Sequence, residues 1–417
     1  MRHIYTIIFY LISPYIFLRL WWKGRKTPGY RQNWAERLGY APELPSCIWL
    51  HAVSVGELLA AKPIVMALQK HYPQTPIVLT GMTATGRALA QPLCNQMVHY
   101  TYVPYDFPSA VRRFLQRSKP HLAIIMETEL WPNLIYETAA QRIPIVIANA
   151  CLSEKSFRGY QKIPAIVKPM MDAISLIGAQ TAIDRERFIQ IGANPDKTLV
   201  WGSIKFEVIV PQALVTAGRE ARQAWSQPRP VVIAASTHAP EEKIALQAFQ
   251  ILRKNFPDAL LIVVPRHPQR FDEVAELCRK QGFKTLRRSE QKTCTPDVDI
   301  FLGDSLGEMF FFYAMADVVF LGGSLLPLGG HNLLEPAALG LALTTGNQIF
   351  NIEEVVDLLK AQQALRVVAN ETELAQAWNE LLTNPDLREA MGRGASAVVE
   401  KNRGALEKHM AGIAKFV

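Results

Sequence analysis

Cysteine is scarce in this 417-residue chain. There are five, Cys47, Cys94, Cys151, Cys278 and Cys294, widely scattered and without CxxC spacing. That pattern excludes a disulfide framework and a cysteine-based zinc site, and it points to a reducing compartment. Low-complexity tracts and short tandem repeats are absent. So are long Lys/Arg runs and any nucleic-acid-binding signature, which leaves nucleic acid out as a partner. No small-residue cleavage site follows the apolar N-terminus, which argues against a removed signal peptide. What is present is 49% hydrophobic residues, 20% charged residues and a net charge of +8. The chain exceeds the roughly 250–300 residues at which single cores stop growing, so two domains are expected. The positive balance favours an anionic partner, either a phosphate-rich ligand or an anionic membrane.

The N-terminus differs from the rest. Ile4 to Leu18 reads IYTIIFYLISPYIFL, with no charge. Arg19, Leu20, Trp21 and Trp22 follow, then the basic cluster Lys23, Arg25 and Lys26. The run is short for a spanning helix, which needs roughly 20 apolar residues, and Pro14 is tolerable in such a setting. Aromatic and basic residues gathered at one end describe an uncleaved anchor with the body on the cytoplasmic side. The anchor is a tight single span or an interfacial helix; the plain alternative is an ordinary buried helix.

Beyond the anchor, short apolar runs alternate with helical stretches. The expected strands are Ile48–Ala52, Ile77–Thr80, His99–Val103, Leu122–Met126, Ile143–Ala148, Ser175–Gly178 and Leu199–Trp201. Val210–Pro230 breaks the rhythm and reads as a linker. The rhythm restarts at Val231–Ala235, Ala259–Val264, Ile300–Gly303, Val318–Gly322 and Leu341–Thr344. This is an α/β pattern of parallel sheets flanked by helices, twice over. Two such domains in series put a cleft between them, and ligands bind beyond the carboxyl ends of the strands.

The unusual residues fall at those strand ends. His51-Ala-Val-Ser54-Val-Gly56-Glu57 places Glu57 at a helix start, where it acts as a general base or simply complements the helix dipole. Thr80-Gly81-Met-Thr83-Ala-Thr85-Gly86 is an anion-binding turn or merely a capped one. Glu127-Thr128-Glu129-Leu-Trp131-Pro132 sets two carboxylates after a buried strand, for acid/base work or as first-turn charges. Asn149-Ala150-Cys151-Leu152-Ser153 also ends a strand. Lys205, before the linker, is a point charge for a phosphate. In the second half, Ser236 or Thr237 precedes a helix and is suited to a phosphate oxygen. Pro265 and Arg266 end a strand in a rigid proline frame. Gly303-Asp304-Ser305-Leu306-Gly307-Glu308, Gly322-Gly323-Ser324 and Gly329-Gly330-His331-Asn332-Leu333-Leu334-Glu335-Pro336 complete the set, with glycines permitting close backbone approach. Glu335, three residues after Asn332, clasps a ribose diol or closes a capping box. No metal cluster is evident; Asp297 and Asp299 precede a strand where their side chains do not converge.

Taken in order, WLHAVSVGE, METELWPN, ANACLS, GSIKFE, ASTHAPEE, PRHPQRF, GDSLGE and GGHNLLEPAALG resemble the Kdo (3-deoxy-D-manno-oct-2-ulosonic acid) transferases of lipopolysaccharide assembly. The resemblance runs along essentially the whole chain. It implies a GT-B fold, two Rossmann-like domains facing a cleft with an N-terminal membrane-anchor helix. The implied division is an anchor at 1–26, an acceptor-binding domain at 27–209 and a CMP-sugar-binding domain at 210–417. The implied activity is transfer of Kdo from CMP-Kdo to a lipid A precursor at the cytoplasmic face of the inner membrane, with inversion and without a metal or cofactor. Glu57 would be the base, and Glu127 and Lys205 would stabilise the transition state. Pro265, Arg266, Leu306, Gly307, Glu308, Asn332, Leu333, Leu334 and Glu335 would bind CMP, with Ser236, Thr237 and His331 as further donor or phosphate contacts. The family pattern usually reads Asn-Ala-Arg-Leu-Ser, and Cys151 stands at the Arg position, which removes a charge from that loop. Two other readings compete: another GT-B nucleotide-sugar transferase, and a catalytically inactive membrane-bound GT-B scaffold.

Overall fold

The computed structural model describes every residue except Lys26, Ser226 and Gln227. Lys26, part of the basic cluster after the anchor, therefore lies outside the described residues. The chain divides into two units, Met1–Glu207 with Arg403–Val417, and Val208–Asn402.

In the first unit β1 (Cys47–His51), β2 (Ile77–Gly81), β3 (Val98–Tyr102), β4 (Pro120–Met126), β5 (Ile145–Ala150), β6 (Leu176–Ala179) and β7 (Thr198–Val200) form one sheet in the order β3-β2-β1-β4-β5-β6-β7. All pairings are parallel, for example Ile48 with Ile77 and His51 with Ile125. Both faces are covered by helices, which is why these strands read as continuous apolar runs rather than alternating ones. Every residue of β1, β2 and β5 is buried.

The second unit repeats the plan. Its strands are β8 (Val231–Thr237), β9 (Leu260–Pro265), β10 (Thr285–Arg287), β11 (Ile300–Leu302), β12 (Val318–Leu321), β13 (Ala342–Thr345) and β14 (Leu365–Val367), in the order β10-β11-β9-β8-β12-β13-β14. Each sheet reverses its strand order beside its first strand, between β1 and β4 in the first and between β8 and β12 in the second. That reversal is where a doubly wound sheet opens a crevice for ligands.

Two sequence expectations need correction. Val210–Pro230 is not simply a linker: Gln212–Gln223 forms a helix, and Arg222 on it pairs with Asp317 at 2.8 Å. The prolines that suggested a linker stand outside the helix, at 211, 228 and 230. The second domain also does not run to the C-terminus. Residues 403–417 join the first unit, where Ala405 and Ile413 share a core with Leu176, Trp201 and Ile204.

The N-terminal helix runs from Arg2 to Lys23 and is long and apolar enough to cross a membrane. Pro14 has no N–H for the Tyr10 carbonyl, and the Ser13 hydroxyl donates to that carbonyl instead, at 2.8 Å. The helix is not an ordinary buried one, since Leu20 is its one buried residue. One face lies along the first unit. Arg2 pairs with Glu137, Phe9 stacks edge-on against Phe107 at 5.0 Å, and Phe17 meets Tyr105 at 5.4 Å. The other face leaves Ile4, Ile7, Ile8, Leu11, Tyr15 and Leu18 exposed.

The returning C-terminal helix, Ala405–Ile413, carries a buried histidine with a defined job. His409 Nε2 accepts the Asn149 N–H at 2.7 Å, while Nδ1 sits 2.7 Å from the Ala405 carbonyl and donates to it. Burial lowers its pKa from 6.5 to about 4, so it is held neutral. The unfolded chain takes up this proton near pH 6.5 and the folded chain only near 4. Its contribution to stability is therefore complete above pH 6.5 and is lost as pH falls toward 4. Between pH 7.5 and 4.5 the thermal midpoint of the native protein is expected to fall further than that of His409→Gln. Parallel declines would show that this histidine is not a source of acid sensitivity.

Candidate active site

Because β1 and β4 are neighbours, the loops leaving their carboxyl ends lie side by side at the reversal point. The β1 loop opens the helix Val55–His71 through a complete capping box. Ser54 Oγ accepts the Glu57 N–H at 3.2 Å. The Glu57 carboxylate reaches back, Oε2 accepting from Val53 N at 2.8 Å and Oε1 from Ser54 N at 3.2 Å. The dipole-and-cap reading of Glu57 is thus realised in the structure. It is compatible with base chemistry, because each oxygen keeps a second lone pair and the cap fixes the rotamer.

The β4 loop turns sharply at Glu127, which has φ +54°. Burial raises the Glu127 pKa, Lys205 opposes that rise, and the charge of Glu57 adds to it. Burial, Glu57 and Glu127 also push Glu129 up to about 7, against a 2.8 Å hydrogen bond from the Trp131 indole. Three carboxylates and one lysine therefore feel one another in a single place. Glu57 and Lys205, which are 148 residues apart, thus both lie within electrostatic range of Glu127.

Lys205 is placed by residues the sequence reading had given no role. It sits in a single turn, Ile204–Phe206, whose two flanking side chains are buried while Lys205 is exposed. Asn149, at the end of β5 with φ +53°, accepts the Ile204 N–H on its Oδ1 at 3.0 Å. Its own carbonyl takes the Gln180 amide at 2.8 Å. A non-glycine residue in left-handed backbone at a strand end is uncommon, and no sequence pattern announces it. His51 is fully buried, with Nδ1 2.9 Å from Thr80 Oγ1 and its ring edge-on to Trp131. Burial drives its pKa to about 3, so it stays neutral. Cys151, at the position where the resemblance expects arginine, has its carbonyl bonded by the Thr128 hydroxyl and its thiol pushed by burial up to about 12.

In the second unit the equivalent loops follow β8 and its neighbours. Ser236 adopts φ +54°, and Thr237 is buried with its carbonyl accepting the Arg266 N–H at 2.9 Å. Pro265 closes β9 inside the core, and Arg266 is exposed just beyond it. Burial, with the charge of Arg266 second, lowers the His331 pKa to about 4. Burial raises Glu335, and the Asn332 amide and Arg266 pull it down. Arg266, His331 and Glu335 thus share one electrostatic neighbourhood. His331 Nε2 lies 2.8 Å from His238 Nε2, so one ring must donate to the other. Asn332 Oδ1 accepts from Leu334 N at 3.0 Å and its amide donates to Glu335 Oε1 at 3.3 Å. This is an Asx turn in place of the capping box. Leu333 and Leu334 are buried and secure that turn. Leu306 is 74% exposed and Gly307 has φ +79°, forming a projecting tip after β11. Glu308 behind it is gripped by Arg288 at 2.8 and 3.1 Å, a partner not anticipated from sequence.

A second missed residue organises the whole set. Glu241, fully buried at the start of the helix Glu241–Leu252, accepts from His238 N, Gly323 N, Ser324 N and Leu325 N at 2.7–3.0 Å. It ties the β8 loop to the β12 loop. The glycines there are required by closeness: a Cβ on Gly322 would stand 2.8 Å from the Ser236 carbonyl oxygen. Removing the carboxylate strands four N–H groups, and the buried ones, of Gly323 and Ser324, cost about 1–3 kcal/mol each. Glu241→Ala is expected to destabilise the second unit by at least about 3 kcal/mol in denaturant titration. A loss under about 1 kcal/mol would mean that the clamp is dispensable.

Comparison with known proteins accords with this geometry. The family model described as 3-deoxy-D-manno-octulosonic-acid transferase (kdotransferase) matches residues 32–208, and the model for glycosyl transferases group 1 matches residues 222–398. A 3-deoxy-D-manno-octulosonic acid transferase of Haemophilus influenzae is 39% identical over 98% of this chain and 96% of its own. That of Bordetella pertussis is 37% identical over 98% of this chain and 97% of its own. The crystal structure of UDP-GlcNAc 2-epimerase from Neisseria meningitidis covers 89% of this chain and all of its own, at 13% identity and a TM-score of 0.57. That likeness concerns the fold alone, and the architecture is the GT-B α/β type expected from the sequence. The chain belongs to the 3-deoxy-D-manno-octulosonic acid transferase family and is a glycosyltransferase.

Proposed function

We propose that the protein transfers Kdo from CMP-Kdo to a lipid A precursor, with inversion and without a metal or cofactor. The observation that carries the reading is the gathering of Glu57, Glu127 and Lys205 at the strand reversal of the first unit, in a chain of this family. An acceptor hydroxyl attacks the anomeric carbon of Kdo while the bond from that carbon to the CMP phosphate oxygen breaks. Glu57 takes the hydroxyl proton, and direct displacement by one nucleophile inverts the centre. CMP leaves with a single phosphate, whose charge Lys205 offsets. Glu127, between Glu57 and the lysine in charge terms, steadies the transition state. Arg266, Asn332, Glu335 and the Leu306–Glu308 turn bind the nucleotide, supported by Ser236, Thr237 and His331.

The N-terminal helix supports membrane residence. Its docked face is held from Arg2 to Phe17, about 22 Å of helix, so lipid cannot surround it. Its exposed apolar face and the Trp21, Trp22, Lys23 and Arg25 end suit an interfacial position on the cytoplasmic side of the inner membrane, where a lipid acceptor resides.

Glu57→Gln keeps an acceptor oxygen for the cap but removes the base. It is expected to lower the transfer rate by at least about 10²-fold, while CMP affinity by calorimetry stays within about twofold. Transfer at the native rate by this variant would refute the base assignment. Excess EDTA is expected to leave the native rate unchanged; loss of activity restored by a divalent cation would contradict the metal-independent reading.

A further inference from the structure

The first unit holds a cavity of about 520 Å³ that the transfer reaction as described leaves unused. The N-terminal helix supplies one wall through Phe9 and Ile16, and the helix Pro164–Ala173 supplies another through Ile166 and Met170. The third wall is Leu130 and Trp131, in the loop that carries Glu127 and Glu129. This volume lies within the range of small-ligand pockets, roughly 300–1,000 Å³. Of its polar lining, Asp106 is already engaged, accepting from Asn133 N at 3.0 Å and Leu134 N at 2.7 Å. What remains is mostly apolar, apart from Tyr5, Tyr105, Tyr160 and the exposed cation Arg19.

Three observations specify the occupant. The helix forming the first wall turns Ile7, Leu11, Tyr15 and Leu18 outward on its opposite side, a face that calls for lipid. Trp131 lines the cavity while its indole N–H donates to Glu129, and the charge of Glu129, after burial, raises the Tyr160 hydroxyl on the same lining. The cavity therefore reaches from a lipid-seeking helix to the carboxylate loop. Arg19 adds a positive charge for an anionic head. An apolar chain tethered to an anionic headgroup fits all three. We propose that this cavity is an acyl-chain site, seating one fatty-acyl chain of the lipid acceptor so that its headgroup is presented to the Glu57–Glu127 loops.

The assignment rests on the acceptor being a lipid, and its test reads binding separately from transfer. The full chain is placed in phosphatidylethanolamine–phosphatidylglycerol nanodiscs with an acylated lipid A precursor carrying a photoreactive diazirine near one chain end. Irradiation is expected to label Ile163–Met170 and Leu130–Trp131, with competition by the unmodified precursor and not by phosphatidylglycerol. Ile16→Trp and Ile166→Trp fill the cavity from opposite walls. Each should cut that labelling by about tenfold and lower the ratio of kcat/KM for the acylated over the deacylated acceptor by about tenfold. The two variants guard against one failing to fold. Labelling confined to the outward residues Ile4, Leu11 and Leu18 would overturn the proposal. So would competition by phosphatidylglycerol equal to that by the precursor, or an unchanged acceptor ratio in both variants. Failure of the native protein to make any Kdo product would instead strike the transfer reading, and the labelling would still decide the cavity.

Discussion

The structure depends on how backbone N–H groups in the loops after β1, β8 and β12 are satisfied. In each unit the first strand of the sheet ends in a small-residue turn, and a glutamate in the first turn of the next helix bends back to collect the donors. Glu57 takes two of them and remains 6% exposed. Glu241 takes four and is wholly buried. The same device has two outcomes. In the second unit the carboxylate is consumed in joining two loops, and its value is structural. In the first unit the demand is smaller, so the group is rigid yet still has lone pairs to offer. A fixed carboxylate with a free lone pair is what the proposed base role calls for, and the cap is compatible with it.

The surrounding charges extend this arrangement. Glu127 and Glu129 are raised by burial and by the charge on Glu57, while Lys205 draws Glu127 down. The lysine is positioned by Asn149, whose N–H is met in turn by His409 on the C-terminal helix. The last residues of the chain thus brace the turn that carries Lys205.

Much of this was legible in the sequence. Parallel strands covered on both faces must be apolar throughout, so twelve of the fourteen among the described residues were recognisable as short runs. The two that were missed, β10 and β14, are three-residue edge strands with arginine among their residues, where one side of the sheet has no partner and the apolar demand relaxes. Gln212–Gln223 was obscured by prolines outside its ends, and the C-terminal helix by its distance along the chain from its packing partners. The strand-end motifs located Glu57, Glu127, Lys205 and Arg266. They did not reveal Glu241, whose partners Gly323 to Leu325 lie more than eighty residues away, nor Arg288, whose grip on Glu308 spans 20 residues. Local spacing carries propensity and capping, whereas those contacts exist only once the sheet has closed.

Membership of the Kdo transferase family, the carboxylate–lysine group and the docked apolar helix converge on a single account, in which a membrane-resident lipid receives a Kdo residue from its CMP ester. The most direct measurement is the product itself. Purified protein is incubated with CMP-Kdo and a lipid A precursor, and the lipid is analysed by mass spectrometry alongside released CMP. The account predicts a lipid heavier by whole Kdo residues, with one CMP formed for each. An unchanged lipid mass, with transfer from UDP-GlcNAc in its place, would contradict it.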